Sequence, residues 1–507
     1  MEPGRGREGQ VEPRLSPEDA AEARKILHAP EVSTDDTLVH DLCVGPCLNT
    51  MKCGEEVLAR LANDRGLSAT QPALTYLEQF LEALPCLFHP VENPSGFIPL
   101  VVAQNDLMGS VVIKELVSRH AMIPDDVVSS ISGYDDFLGS SRLRTSLAAY
   151  LKSTFMRDVS EEDVTADHIA IAAGAGAIIE NLAFLLADAG DSAILPAPYY
   201  PAFDNDLQVR AKVTPVPAPE LKNFPDADGV SPAPVPTPAS LAAAAADAVQ
   251  KGTKPRMVIF TNPSNPLGDV VPAQNVQECM VWALRNKLHF VSDEVYANSV
   301  FDAENAPPFV SAAALKDAAG REAGMEPTEV DEYVHVVFGM SKDLCVSGLR
   351  VGCLYTKSQH VISALRNVSY FCGVPNPTQH ALAALLDDTA WMKNFMETNF
   401  KKLKESRDAA SAALAVAGIQ HTRATAGLFL YADFTRVLKK HSRADEPTFE
   451  HERALFEALF KEARVLVTPG RDCHHPTPGW FRVCFAAVGV KSLEEAGRRL
   501  KRFIDAI

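Results

Sequence analysis

From about Gly96 to its end the chain alternates between two hydrophobic rhythms. Short β-branched or continuous apolar runs predict buried strands. Each gives way to a turn marked by glycine, proline or asparagine, and often to a segment whose apolar residues recur three or four apart. HIAIAAGAGAIIENLAFLLADAG reads as a strand, a turn at Gly174 and Gly176, and a helix from about Ala177. SAILPAPYYPAFDND, MVIFTNP, LHFVSDEVY and Tyr333 to Phe338 (YVHVVF) predict further strands. Leu143, Leu147, Tyr150 and Leu151 keep helical spacing behind a loop that carries Tyr134. From NPTQHALAALL one long helical pattern runs through about Ala417. It is followed by a strand (GLFLYADF), a helix (Thr448 to Ala463), two strands (ARVLVTP and WFRVCFAAV) and a last helix, Ser492 to Ile507, with Ser492 and Glu495 at capping-box spacing. Strands interleaved with helices in this way predict an α/β fold with a mostly parallel sheet.

Three stretches depart from the rhythm. Residues 1 to about 90 predict a partly disordered tail with helix-like segments at Pro17 to His28 and Gly54 to Asn63, then a hydrophobic stretch from Leu74 to Leu87. Residues 215 to 254 are rich in proline and alanine, which predicts a surface insertion leading into a short helix. Asp302 to Glu332 predicts a polar insertion.

Charge narrows the partners. With 65 acidic and 48 basic side chains the chain carries −17, so phosphate backbones and anionic membranes are repelled, and no basic patch reverses that. No nucleic-acid or membrane partner is expected. The longest apolar stretch, Ile169 to Ala187, is interrupted by Gly174, Gly176, Glu180 and Asn181, unlike a bilayer span. The first thirty residues have no apolar core behind their charges, which predicts a cytoplasmic protein. Cysteines such as Cys353 and Cys484 lie in apolar runs as small hydrophobes, and the spacing of Cys43, Cys47 and Cys53 matches no zinc pattern, so no metal site is expected.

The candidate chemistry sits at strand ends. Lys342 follows the YVHVVF strand in GMSKDLCVSGLRVG, where α/β enzymes keep reactive groups, and its amine can form an imine. Asp293 ends another apolar run, and a carboxylate so placed calls for a cation. Arg482 lies inside an apolar strand and calls for an anion. The Gly174 turn opens a helix whose free N–H groups suit a phosphate. Tyr199 and Tyr200 stand on a loop where an aromatic ring can stack on a flat ligand.

Together PAPYYPAFD, TNPSNPLG, SDEVY, SKD with GLRVG, and GWFRVCFA resemble, in order and spacing, the fold type I pyridoxal-phosphate-dependent aminotransferases of class I/II. Within them the chain looks most like the 1-aminocyclopropane-1-carboxylate (ACC) synthase group. The resemblance implies a large domain with a mostly parallel sheet wrapped by helices, and a smaller α+β domain built from both ends of the chain. In this numbering it implies an N-terminal extension over 1–90, the first part of the small domain over 91–130, the large cofactor-binding domain over 131–380 and the C-terminal small domain over 381–507.

It also implies roles. Lys342 would hold pyridoxal 5′-phosphate as an internal aldimine and then act as base on the substrate Cα. Asp293 would keep the pyridine nitrogen protonated, while Asn265 and Tyr296 would hydrogen-bond the ring's phenolic oxygen. Tyr200, before Tyr199, would stack on the ring. Arg350 with the turn at Gly174, Ala175 and Gly176 would hold the phosphate. Tyr134 resembles a tyrosine donated by a second subunit, which implies a homodimer with shared sites. Arg482 would clamp the carboxylate of a small-molecule amino acid, with Asn265 and Gln104 also facing the substrate.

Here the family's A-E-N triplet reads Ala103, Gln104, Asn105, so an amide replaces the carboxylate that favours the sulfonium of S-adenosylmethionine. That change favours an amino-acid transaminase. ACC synthesis, or another lyase reaction on S-adenosylmethionine, is the alternative. A phosphate cup poor in hydroxyls, with Ala173, Ala175 and Gly339, admits a non-catalytic cofactor-binding homologue as a third reading.

Overall fold

The computed structural model describes residues 75–120, 131, 133–220, 230–231 and 233–507. The helix-like segments at Pro17 to His28 and Gly54 to Asn63, and the cysteines at 43, 47 and 53, lie outside the described residues.

In chain order the strands are β1 (Ile98–Pro99), β2 (Ile169–Ala172), β3 (Ser192–Ala197), β4 (Thr214–Pro219), β5 (Val230–Ser231), β6 (Pro255–Thr261), β7 (His289–Asp293), β8 (Val334–Gly339), β9 (Gly352–Thr356), β10 (Gln420–Thr422), β11 (Phe429–Asp433), β12 (Val465–Leu466), β13 (Thr468–Pro469) and β14 (Trp480–Cys484). Seven of them form one sheet in the order β2-β9-β8-β7-β6-β3-β4. Only β9 runs against its neighbours, because it returns directly from β8 through the tight segment that carries Lys342 and Arg350. The other pairings in that sheet are parallel. Apart from the edge strand β4, its strands are largely buried, as expected of a sheet covered on both faces, and so read as continuous apolar runs. The α/β fold with a mostly parallel sheet expected from the sequence is the fold observed.

A second sheet, β13-β14-β11-β10-β5, draws on the C-terminal part of the chain and borrows β5 from the proline-rich stretch. A parallel pair, β1 with β12, ties Ile98 to Val465 and so joins the first described strand to the C-terminal part of the chain. Around this second sheet pack Leu428, Leu430, Phe434, Leu455, Phe481 and Leu500 in one core, while Ile194, Val258, Phe290 and Val336 belong to the core on one face of the seven-stranded sheet.

Several elements differ from the expectation. Residues 214–219, expected within a surface insertion, form the edge strand β4 on β3. Thr214 donates its N–H inward to the Asp191 carbonyl at 2.8 Å. By alternation Pro215, Pro217 and Pro219 fall where the missing N–H would face the open edge, so the prolines both permit the strand and blunt its edge. The polar stretch 302–332 contains the helices Ala312–Ala323 and Pro327–Asp331, which bury mainly small residues (Ala312, Ala313, Ala319 and Gly320) with Lys316 and Val330 and so give little hydrophobic signal. The long pattern from Asn376 is two helices, Asn376–Asp387 and Thr389–Val416, divided at Asp388, whose carboxylate caps the second by accepting from the Trp391 N–H at 3.0 Å. The last helix begins at Val490 behind Gly489. Ser492 is buried inside its first turn and caps nothing, because the extended backbone of Gly489 already supplies the entry. Among the described residues no helix is long and apolar enough to cross a membrane, and no group of histidine, cysteine and acidic side chains could hold a metal ion.

Candidate active site

Three strand-to-loop transitions of the large sheet converge. Gly352, first residue of β9, lies opposite Ala172 of β2 and Gly339 of β8. The Gly174 turn and the Lys342 segment are therefore adjacent. A Cβ on Gly352 would stand 2.3 Å from the Gly174 carbonyl carbon and 2.4 Å from the Ala175 nitrogen, so only glycine lets the turn approach so closely. Gly174, at φ +94°, caps helix α1 (Ala175–Leu186). Arg350 holds a left-handed backbone (φ +53°) and swings its guanidinium over that turn, donating to the Ala173 carbonyl at 3.4 Å and the Ser347 carbonyl at 3.1 Å. A Cβ on Gly174 would meet Arg350 Nη2 at 2.5 Å. The result is a shallow cradle floored by backbone, with a guanidinium on one side.

The Lys342 Nζ donates to the Ala103 carbonyl. Burial lowers its pKa to about 8, helped by the positive Arg482 and Arg350 and opposed by Cys484 and Asp293. Asp293 is buried at the end of β7, where its carboxylate accepts from Thr261 Oγ1 and the Val295 N–H, each at 3.4 Å. Burial dominates those bonds and pushes it up to about 7. Such a carboxyl has an unmet need for a cationic partner.

Arg482 is the largest fully buried side chain among the described residues, at 1% exposure. Nη1 donates to Asn265 Oδ1 at 3.0 Å, and Nη2 to Thr468 Oγ1 at 3.1 Å and the Val101 carbonyl at 3.2 Å. Its guanidinium carbon lies 4.6 Å from the centre of the Phe429 ring, and Nε, also buried, has no hydrogen-bond partner. A guanidinium this deep, ringed by neutral acceptors, lacks a full counter-charge. Tyr296, buried beneath it, makes an edge contact with Phe429 at 5.9 Å and is pushed well above the usual phenol range by burial.

Of the residues singled out from the sequence, Lys342, Asp293, Tyr296, Tyr200, Arg482 and Arg350 are electrostatic neighbours, with Asn265 bonded to Arg482 and the Gly174 turn against Arg350. Tyr200 adjoins Asp293 and Arg482. Tyr199 is engaged elsewhere: it donates to Asp204 at 2.8 Å and stacks on His474 at 4.4 Å. Gln104 stands beside Ala103 and bonds Asp106 with its side-chain amide. Tyr134 is not gathered in; it is 93% exposed beside Phe137. Two residues escaped the sequence reading. Tyr76, from the extension, lies against Arg482 with its ring buried, and nothing in its neighbourhood marks it as a site residue. Cys484, two residues beyond Arg482 on the same face of β14, reaches the Gln104 carbonyl at 3.8 Å, and strand alternation alone could have found it.

Comparison with known proteins gives the family. The profile of the family described as aminotransferase class I and II matches residues 100–500. The chain belongs to the class I and II aminotransferase family. Rice (Oryza sativa subsp. japonica) 1-aminocyclopropane-1-carboxylate synthase 4 is 35% identical over 432 residues, covering 82% of this chain and 83% of its own. Arabidopsis thaliana 1-aminocyclopropane-1-carboxylate synthase 8 is 33% identical over 431 residues, covering 82% of this chain and 85% of its own. In fold the chain matches Thermus thermophilus aspartate aminotransferase with maleate at a TM-score of 0.65 and 20% identity, over 87% of this chain and 99% of that one. The aromatic aminotransferase of Pyrococcus horikoshii matches at 0.60 and 19%, over 81% and 96%.

This class I and II aminotransferase is thus a pyridoxal-phosphate-dependent enzyme related to the ACC synthases. Its residues fit that coenzyme. The glycine-floored cradle suits a phosphate, the buried Asp293 carboxyl suits a protonated ring nitrogen, and the buried amine of Lys342 suits an aldehyde.

Proposed function

We propose that this enzyme is an amino-acid transaminase of ACC-synthase-like ancestry, with Lys342 as the residue that holds the coenzyme and moves the substrate proton. The observation that carries the reading is the convergence of one buried amine, one buried carboxyl and one buried guanidinium, with a neutral amide at Gln104. When bound, the coenzyme supplies an aldehyde carbon and a ring that accepts the electron pair left at Cα. Lys342 Nζ takes the Cα proton, a step worth about 10²–10⁴-fold when the base is well positioned. A pKa near 8 leaves a useful fraction of that amine neutral at physiological pH. Asp293 holds the proton on the ring nitrogen, and Asn265 with Tyr296 bonds the ring's phenolic oxygen. Tyr200 stacks on the ring face. Arg350 and the Gly174–Gly176 turn hold the phosphate. Arg482 clamps the α-carboxylate, and its fork geometry fixes which bond at Cα is broken. Lys342 Nζ would then return that proton at the coenzyme's aldehyde-derived carbon, and hydrolysis by water would release the keto acid and leave the amino group on the coenzyme.

The ACC-forming reading rests on the names of the rice and Arabidopsis relatives. Its discriminating residue is Gln104, whose amide supplies no negative charge for a sulfonium. The two separate by one experiment. Enzyme loaded with pyridoxal 5′-phosphate is given a panel of L-amino acids, and separately S-adenosylmethionine. Loss of the yellow absorbance with appearance of the pyridoxamine form supports transamination. Methylthioadenosine released from S-adenosylmethionine without that change overturns it.

We also infer a homodimer. Tyr134, Phe137, Tyr370 and Phe371 form an exposed aromatic cluster, with rings 5.0–6.4 Å apart, of the kind that a second copy would cover. Mixing Y134A with K342A subunits should restore activity if each site borrows Tyr134 from its partner. No restoration, or a monomer by light scattering, would remove that inference.

A further inference from the structure

Asp206 has no part in the chemistry above, yet it lies against the same glycine turn. It sits on the short helix α2 (Phe203–Gln208), six residues beyond Tyr200. Its Oδ1 and Oδ2 lie 3.3 and 3.4 Å from the point where a Cβ on Gly176 would stand, so the carboxyl fills the space that a side chain at position 176 would occupy. Around it stand Arg350 from the segment before β9, Asp293 from the end of β7, Glu180 from α1 and Tyr200 from the loop after β3. Glu180 is paired with Arg210 at 3.3 Å, and Arg350 bonds two backbone carbonyls. Neither neutralises Asp206. Burial first, then Asp293 and Glu180, push its carboxyl up to about 7 against the pull of Arg350.

We propose that Asp206 is a cofactor-positioning residue whose carboxylic acid keeps its proton and donates a hydrogen bond to the coenzyme's phosphate at the first turn of α1. The inference rests on the reading that the phosphate lies in the Gly174–Gly176 turn. An ionised carboxylate there would repel a phosphate monoester, which carries about 1.5 to 2 negative charges near pH 7. A protonated one replaces the hydroxyl that Gly176 cannot offer. The arrival of the phosphate raises the Asp206 pKa further. Coenzyme affinity therefore falls as pH rises from about 7 towards the higher value in the loaded enzyme, by up to about tenfold per pH unit for one proton.

The test titrates the full-length apoprotein with pyridoxal 5′-phosphate, and with pyridoxal, which lacks the phosphate, from pH 6.5 to 8.5. Wild type should lose affinity for the phosphorylated form by several-fold more than for pyridoxal. Asp206→Asn, neutral and still a donor, should flatten that difference, and the phosphorus resonance of the bound coenzyme should titrate in wild type and not in the variant. If Asn disturbs folding, as judged by thermal melting, Asp206→Ser makes the same comparison. An unchanged pH slope in a folded variant overturns the role of Asp206 alone. A wild type that binds pyridoxal as tightly as its phosphate overturns the cradle as phosphate site, and one that binds neither overturns the assignment of Lys342; this inference then falls with them.

Discussion

Arg482 Nη1 donates to Asn265 Oδ1 across 3.0 Å, which joins β14 of the smaller sheet to the turn that follows β6 of the larger one. One buried bond thus couples the proposed carboxylate clamp to the residue proposed for the coenzyme's phenolic oxygen. Arg482→Lys keeps the charge and loses the fork. It should lower kcat/KM by about 10²-fold or more, mostly through KM, because a single ammonium cannot hold a carboxylate in two places. Steady-state kinetics on the substrate found by the panel above would check this; an unchanged KM would refute the clamp.

Lys342 should set the rising, acid-side limb of the pH profile. Its pKa is lowered to about 8, so the amine gains a free electron pair as pH rises through that value, and turnover should climb between about pH 7 and 8. Lys342→Arg, charged at every working pH, should lose at least about 10²–10⁴-fold and show no such limb. Borohydride reduction should attach the coenzyme to wild type at residue 342, detectable in a tryptic peptide, and leave the variant unlabelled.

Gly352→Ala should fail for a steric reason. Its Cβ would press on backbone atoms of Gly174 and Ala175 at 2.3 and 2.4 Å, and backbone in a helix-opening turn cannot swing aside as a side chain can. Destabilisation of about 1–3 kcal/mol and weakened coenzyme binding are expected, measured by chemical denaturation and by titration with pyridoxal 5′-phosphate. Gly348→Ala, where a Cβ meets nothing within 4 Å, is the matched control.

The apoprotein should be more stable at pH 6 than at pH 8. Burial raises Asp206, Asp293, Glu294, Asp343 and Glu452 to about 7 each. A carboxyl whose folded pKa exceeds its unfolded value binds more protons in the native state between the two, so stability falls as pH rises through that window. His289, lowered to about 4, and His335, lowered well below its ordinary value by burial, act in the opposite sense below about 6.5 and set the acid side of the optimum. Melting temperature should therefore peak on the acid side of neutrality. Coenzyme should soften the decline towards pH 8 by giving Asp293 a cationic partner; an apoprotein melting highest at pH 8 would contradict the assignment of these buried acids.

Much of this was written in the order of residues. Apolar runs closing on TNPSNPLG, SDEVY and SKD read as strands delivering polar groups to one edge of a parallel sheet, which made the fold class legible, and the resemblance carried by those motifs implied the roles of Lys342, Asp293 and Arg482. Other elements were illegible for definite reasons. The strand at 214–219 hides behind alternating prolines that a central strand would forbid. The helices within 302–332 bury alanines, whose hydrophobic signal is weak. Ser492 has the spacing of a cap, but the backbone entry at Gly489 leaves it nothing to do. Only the packed chain decided which groups meet. Tyr76 comes to Arg482 across some four hundred residues, Asp206 comes to Gly176 because α2 folds back over α1, and Tyr199 is withdrawn from the site by His474. Sequence fixes what each residue is able to do, since periodicity and turn chemistry act over a few neighbours. Proximity between distant residues, and with it the raised carboxyls and the lowered amine, arises only when the chain is packed and water is excluded.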